Sequence, residues 1–172
     1  MTVTAVRKDP QSLTMTLEAE FDASPERVWQ LWADPRQLER WWGPPTYPAT
    51  FTRHHLAPGS RVEYHMTGPT GDQPHGFWEI LEADAPHRLV FRDGFSHADG
   101  TPNTDLPTGE ARVRIEEVGQ GRTRMSIESI FPSAEAMEQV LAMGMEEGLK
   151  QAVGQIDAIL SEPAATARGG AA

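Results

Sequence analysis

A chain of 172 residues, 38% hydrophobic and 23% charged, has the size and composition of one globular domain with a sizeable core, which excludes a disordered polymer. Its net charge of −10, from 15 basic against 25 acidic residues and with no basic run, speaks against nucleic acid and membrane surfaces as partners. The absence of cysteine removes disulfides, thiolate nucleophiles and cysteine-based zinc sites, and fits a reducing compartment.

Residues 1–12 are polar and mixed and are expected to form a flexible lead-in without a signal segment. No stretch approaches the roughly 18 apolar residues of a membrane span, so a soluble, cytoplasmic protein is expected. From Leu13 the sequence alternates: Leu13, Met15, Leu17, Ala19 and Phe21 share one face, and Thr14, Thr16, Glu18 and Glu20 the other. Period two predicts a strand with one buried face. Ser24-Pro25-Glu26 then opens a helix, with a capping hydroxyl, a proline in the first turn and an acid at the positive end. Asp34-Pro35 repeats the signal, and Gly43-Pro44-Pro45 closes the second short helix. The two helices form a V-shaped prop, with Trp29, Trp32, Trp41 and Trp42 as its core anchors.

Residues 48–54 and 60–67 read as strands parted by the turn Ala57-Pro58-Gly59-Ser60. Val62, Tyr64 and Met66 share one face. Further strands run from His75 to Glu82 and from Arg88 to Asp93, and a hairpin joins Glu110–Val118 to Thr123–Phe131 around Gly119-Gln120-Gly121. Gly94 to Thr108 is breaker-rich and reads as a mobile loop or a lid carrying Ser96, His97, Asp99 and Asp105. Ser133 caps a last helix whose apolar stripe runs from Met137 to Leu160. At 1.5 Å per residue it spans about 40 Å, enough to cross a sheet. Pro163 ends it, and residues 163–172 are expected to be a disordered tail.

The fold class is therefore α+β. A curved seven-stranded antiparallel sheet, with two short helices after its first strand, grips one long C-terminal helix within a single domain, residues 13–162. One helix cannot cover such a sheet tightly along its length, so a cavity is expected where the two diverge. Gly144 and Gly148 lie on the buried helix stripe, and close packing is the leading reading of them, ahead of pocket space.

Phe21-Asp22-Ala23-Ser24-Pro25-Glu26-Arg27-Val28-Trp29 and Leu38-Glu39-Arg40-Trp41-Trp42-Gly43-Pro44 resemble the opening of the START-like, birch-pollen-allergen-like (SRPBCC) superfamily. Within it they resemble the family named for the activator of heat-shock protein 90 ATPase. Gly76-Phe77-Trp78-Glu79-Ile80-Leu81-Glu82 with Pro86-His87-Arg88-Leu89-Val90-Phe91 is similar to that family's central hairpin, and Gly144-Met145-Glu146-Glu147-Gly148-Leu149 to its helix motif. The resemblance covers roughly residues 14–161. It implies a helix-grip fold and a hydrophobic cavity, but no single activity. Related branches bind lipids, hormones or polyketides, and some cyclise or dehydrate polyketides. The members that stimulate the chaperone carry a further domain, for which 172 residues leave no room.

No histidine pair has metal-ligand spacing: His54 and His55 point to opposite strand faces, and His65, His75, His87 and His97 are scattered. No metal and no cofactor is expected. The candidate acid–base groups are Tyr64, a polar handle in an apolar wall, and Asp93. Asp93 is either an inward carboxylate of raised pKa or the start of the turn at Gly94. Arg92 and His65 should face outward. Trp78, with Ile80 on the concave face, either packs or stacks on a flat ligand. No nucleophile elbow, phosphate loop or dinucleotide fingerprint occurs.

The leading expectation is a protein binding a hydrophobic or amphipathic small molecule, walled by Tyr64, Met66, Trp78, Ile80, Phe91, Met125, Ile127, Met145 and Leu149. The alternatives are a cyclase- or dehydratase-like enzyme using Asp93 and Tyr64, and a stress-response interaction protein of the chaperone. A weak homodimer is admitted as a further partner.

Overall fold

The structure, a computed structural model, describes residues 3–162. The alternation after Leu13 forms β2 (Thr14–Phe21), in which Met15, Leu17, Ala19 and Phe21 are buried and the intervening residues partly exposed. The helix starts form as the sequence predicts. Ser24 caps α1 (Pro25–Ala33) by accepting from the Arg27 N–H, and Asp34 caps α2 (Pro35–Leu38) by accepting from the Arg36 N–H. Six strands follow in a meander: β3 (Ala49–Arg53), β4 (Arg61–Met66), β5 (His75–Asp84), β6 (Arg88–Ser96), β7 (Gly109–Gly119) and β8 (Arg122–Ile130).

Eight strands form the sheet, not seven. The residues expected as a loose lead-in contain β1 (Val3–Asp9), which pairs antiparallel with β2 and gives the order β1-β2-β8-β7-β6-β5-β4-β3. Its alternation is weak because an edge strand buries little: Val3 and Val6 pack on the core, while Arg7 and Lys8 pair with Glu18 and Glu146. Residues 163–172, expected to be a disordered tail, lie outside the described residues.

The C-terminal stripe is helical but not one continuous helix. It divides into α3 (Ala134–Ala142), capped by Ser133, then α4 (Met145–Val153) and α5 (Ile156–Leu160). The first break falls at Gly144, whose φ of +89° lies in the left-handed region that side chains disfavour.

Trp32 centres the core. Its ring lies 4.8 Å edge-on from Trp41, with Trp42, Trp78 and Phe91 within 6.3 Å, and its Nε1 donates to Met125 Sδ. The prop thus seals one end of the concave face. Truncating Trp32 to alanine should cost about 3–5 kcal/mol in urea-induced unfolding, and the same change at half-buried Trp29 much less.

Candidate functional site

Antiparallel register places concave side chains in rungs across the strands. The rung Leu89–Val113–Ile127–Leu17 is wholly apolar and fully buried. One step along, Ile80–Phe91–Ala111–Ser129–Met15 shrinks in its middle to alanine and serine. The next, Val62–Trp78–Asp93–Gly109, ends on a glycine. Large side chains fill the face under the prop, and small ones leave it open further along.

The helices do not close that opening. Gly144 and Gly148 both line it, and a Cβ built on either would meet nothing within 4 Å. The expected close packing is therefore corrected: these glycines leave space. The result is a mainly apolar cavity of about 420 Å³ between β4–β8, the Trp42–Tyr47 segment and the α3–α4 junction. Such a volume suits a small organic molecule. Trp42, Gly43 and Pro44 of the Trp-Trp-Gly-Pro motif border it, and the Gln155 amide holds them to the α4–α5 junction by donating to the Gly43 carbonyl at 2.8 Å.

Tyr64 and Asp93 meet in the cavity wall. Tyr64 lies across Gly76, its cross-strand partner, so closely that a Cβ there would sit 2.5 Å from the phenol oxygen. Its ring stacks on Phe51 at 5.0 Å. Burial, with the Asp93 charge second, holds the Tyr64 hydroxyl far above the usual phenol range, so it stays protonated. Burial also pushes the Asp93 carboxyl up to about 7, against the opposing pull of the Tyr64 hydroxyl. A carboxyl poised there can hold or release a proton at neutral pH.

Of the nine residues expected in the wall, Tyr64, Met66, Met145 and Leu149 line the cavity, joined by Asp93. Trp78, Ile80, Phe91, Met125 and Ile127 share the concave face but are buried in the filled core. The Trp78 ring stacks on Phe91 at 4.1 Å and is fully buried. Trp42, expected only as a core anchor, is half-buried and lines the cavity. Ala111 and Ser129 were missed, although small residues at inward positions of alternating strands are a readable signal of space.

The segment from Gly94 differs from expectation. Residues 94–96 continue β6, and the rest folds toward the outer face, where Arg61 Nη2 donates to the Gly100 carbonyl. Only Pro107 of its later part reaches the cavity. The histidines bond locally, His54 to the Trp32 carbonyl and His87 to the Ile115 carbonyl. Among the described residues, no group of three or more His, Asp or Glu converges as a metal site, and no helix is long and apolar enough to cross a membrane.

Residues 22–161 match the model of the family described as Activator of Hsp90 ATPase homolog 1-like protein. The chain belongs to this family. Among solved structures, Ms6760 from Mycobacterium smegmatis is 49% identical, over 94% of this chain and 98% of that one, with a TM-score of 0.86. A protein from Arthrobacter aurescens is 50% identical, over 95% and 94%, at 0.90. CalU16 from Micromonospora echinospora, 19% identical over 94% and 85% at 0.57, shares the fold. None of the curated proteins matches this chain. The helix-grip, START-like architecture of the family is the one described above.

The Asp93 carboxyl carries a stability signature. It ionises near 7 in the folded chain and near 3.9 when unfolded, so between those values the folded state retains a proton that the unfolded chain has released. Its contribution is fully favourable below about pH 4 and is lost as pH rises to about 7, by up to about 4 kcal/mol. Asp93→Asn should flatten this slope and raise the melting temperature at pH 8 more than at pH 5, read from thermal melts at both.

Proposed function

We propose that this protein binds a hydrophobic or amphipathic small molecule in the cavity between the sheet and the C-terminal helices. The observation that supports this most is Gly148. A helix-interior glycine costs about 1 kcal/mol relative to alanine, and here no neighbour's close approach requires it. What it leaves is cavity volume, opposite Ala111 and Ser129. Methionines at Met66 and Met145 let the wall adapt to an occupant.

The fluorescent apolar probe N-phenyl-1-naphthylamine and a panel of neutral bicyclic compounds test the reading. At free concentrations a hundred times Kd, an occupant stabilises by about 2.7 kcal/mol, roughly 5–10 °C for a domain of this size. Gly148→Phe should keep the fold, fill the space and abolish both probe fluorescence and the melting shift. No shift from any compound with the wild-type chain would overturn the proposal.

A second reading, a cyclase- or dehydratase-like enzyme, is favoured by one pairing: an Asp93 carboxyl near neutrality beside the protonated Tyr64 hydroxyl. Turnover of a bound polyketide-like ketone should then rise through pH 7 if Asp93 acts as base, and vanish in Asp93→Asn while binding persists. The interaction-protein reading needs an exposed apolar patch on the prop or on the sheet's outer face. That face instead carries cross-strand ion pairs such as Arg88–Glu82 and Arg124–Glu20, and the large hydrophobics most exposed among the described residues, Leu81, Val118 and Met143, lie on separate elements.

A further inference from the structure

Behind Tyr64 stand two indole rings, Trp42 edge-on at 6.3 Å and Trp78 at 6.1 Å. Their Nε1 atoms are buried, and neither completes a hydrogen bond. An indole N–H can only donate, so neither ring offers the Tyr64 O–H an acceptor. That proton is left for Asp93, which lines the cavity with Tyr64, and for an occupant. Gly76 matters here, since any side chain at that position would lift the phenol out of this seat.

We infer that Tyr64 and Asp93 form a subsite for the carbonyl oxygen of a neutral and otherwise apolar ligand. This rests on the cavity being a ligand site and names the chemistry of what enters it. An accepting oxygen at the wall takes the Tyr64 O–H, and the Asp93 O–H while that carboxyl is protonated. Tyr64 and Asp93 are the contacting groups, and the rings of Trp42 and Trp78 pack against Tyr64.

No other charge in the wall competes. Tyr47, at the rim, donates its hydroxyl to Asp72, and Glu110 of β7 borders the cavity but is ion-paired with Arg112. α3 and α4 contribute only Val140, methionine, glycine, Leu149 and Ala152. The pH dependence of the carbonyl preference should therefore follow Asp93 alone, the preference falling as pH rises through 7, where a carboxylate repels the ligand oxygen and claims the phenol proton.

The test compares 2-acetylnaphthalene with 2-isopropenylnaphthalene, which replaces C=O by C=CH2 at nearly the same shape. Displacement of N-phenyl-1-naphthylamine at pH 6 should show the ketone binding about tenfold more tightly. The ketone, and not the alkene, should move the indole N–H resonances of Trp42 and Trp78. Tyr64→Phe should erase the preference while leaving alkene affinity in place. Asp93→Asn, which keeps a donor, should retain the preference and lose its pH dependence, and it serves as the folded control should the Tyr64 variant unfold. Equal binding of both compounds to the wild-type chain, with unmoved indole resonances, overturns the carbonyl subsite and leaves the cavity reading standing. Binding of neither overturns both.

Discussion

The rung Ile80–Phe91–Ala111–Ser129–Met15 crosses five strands and loses its bulk in the middle. That loss is the constraint from which the cavity follows. Neighbouring strands hold their side chains at fixed spacing, so a small residue cannot be compensated by drawing the strands together. Compensation has to come from whatever covers the sheet, and the covering helices carry Gly144, Gly148 and Ala152 there. Small faces small, and a void of about 420 Å³ remains between them. The adjacent rung, all leucine, valine and isoleucine, leaves no such gap and carries the core.

The tryptophans divide their labour across this boundary. Trp32 and Trp41 are fully buried, and each indole N–H finds an acceptor, at Met125 Sδ and the Leu31 carbonyl. Trp42 and Trp78 stand where the packed core meets the cavity, their rings against Tyr64 and their indole N–H groups without an acceptor. A buried donor without a partner costs on the order of 1–3 kcal/mol. Such a cost is expected at a functional site and not in the middle of a core. The same burial keeps Tyr64 protonated and Asp93 close to neutrality, so packing and acid–base character have one origin.

The break in the C-terminal stripe at Gly144 sits beside the same opening. A continuous helix would direct the Met137–Leu141 turn and the Met145–Leu149 turn along one line. The left-handed glycine bends the path instead, so that Phe131, Met15 and Met137 form a small separate cluster at one end and the cavity lies between it and the main core. The unsealed region is where α3 hands over to α4.

Strand alternation, the Ser24-Pro25, Asp34-Pro35 and Ser133 helix starts and the apolar stripe are local signals, and they made nearly the whole fold legible in the sequence. β1 escaped because an edge strand buries too little to alternate, and the break at Gly144 because an apolar stripe keeps its spacing across a single left-handed residue. Of the site, strand alternation brought Tyr64, Met66 and Asp93 to the inner face, and the helical stripe brought Met145 and Leu149. Alternation could not separate the cavity from the core, because Trp78, Phe91 and Ile127 point the same way. Which inward residues meet a neighbour and which meet empty space depends on register across five strands and on the distance to the helices. The sequence by itself determined which face each side chain takes, since that is a property of one strand or one helix. Only the tertiary structure decided where that face is covered and where it is left open.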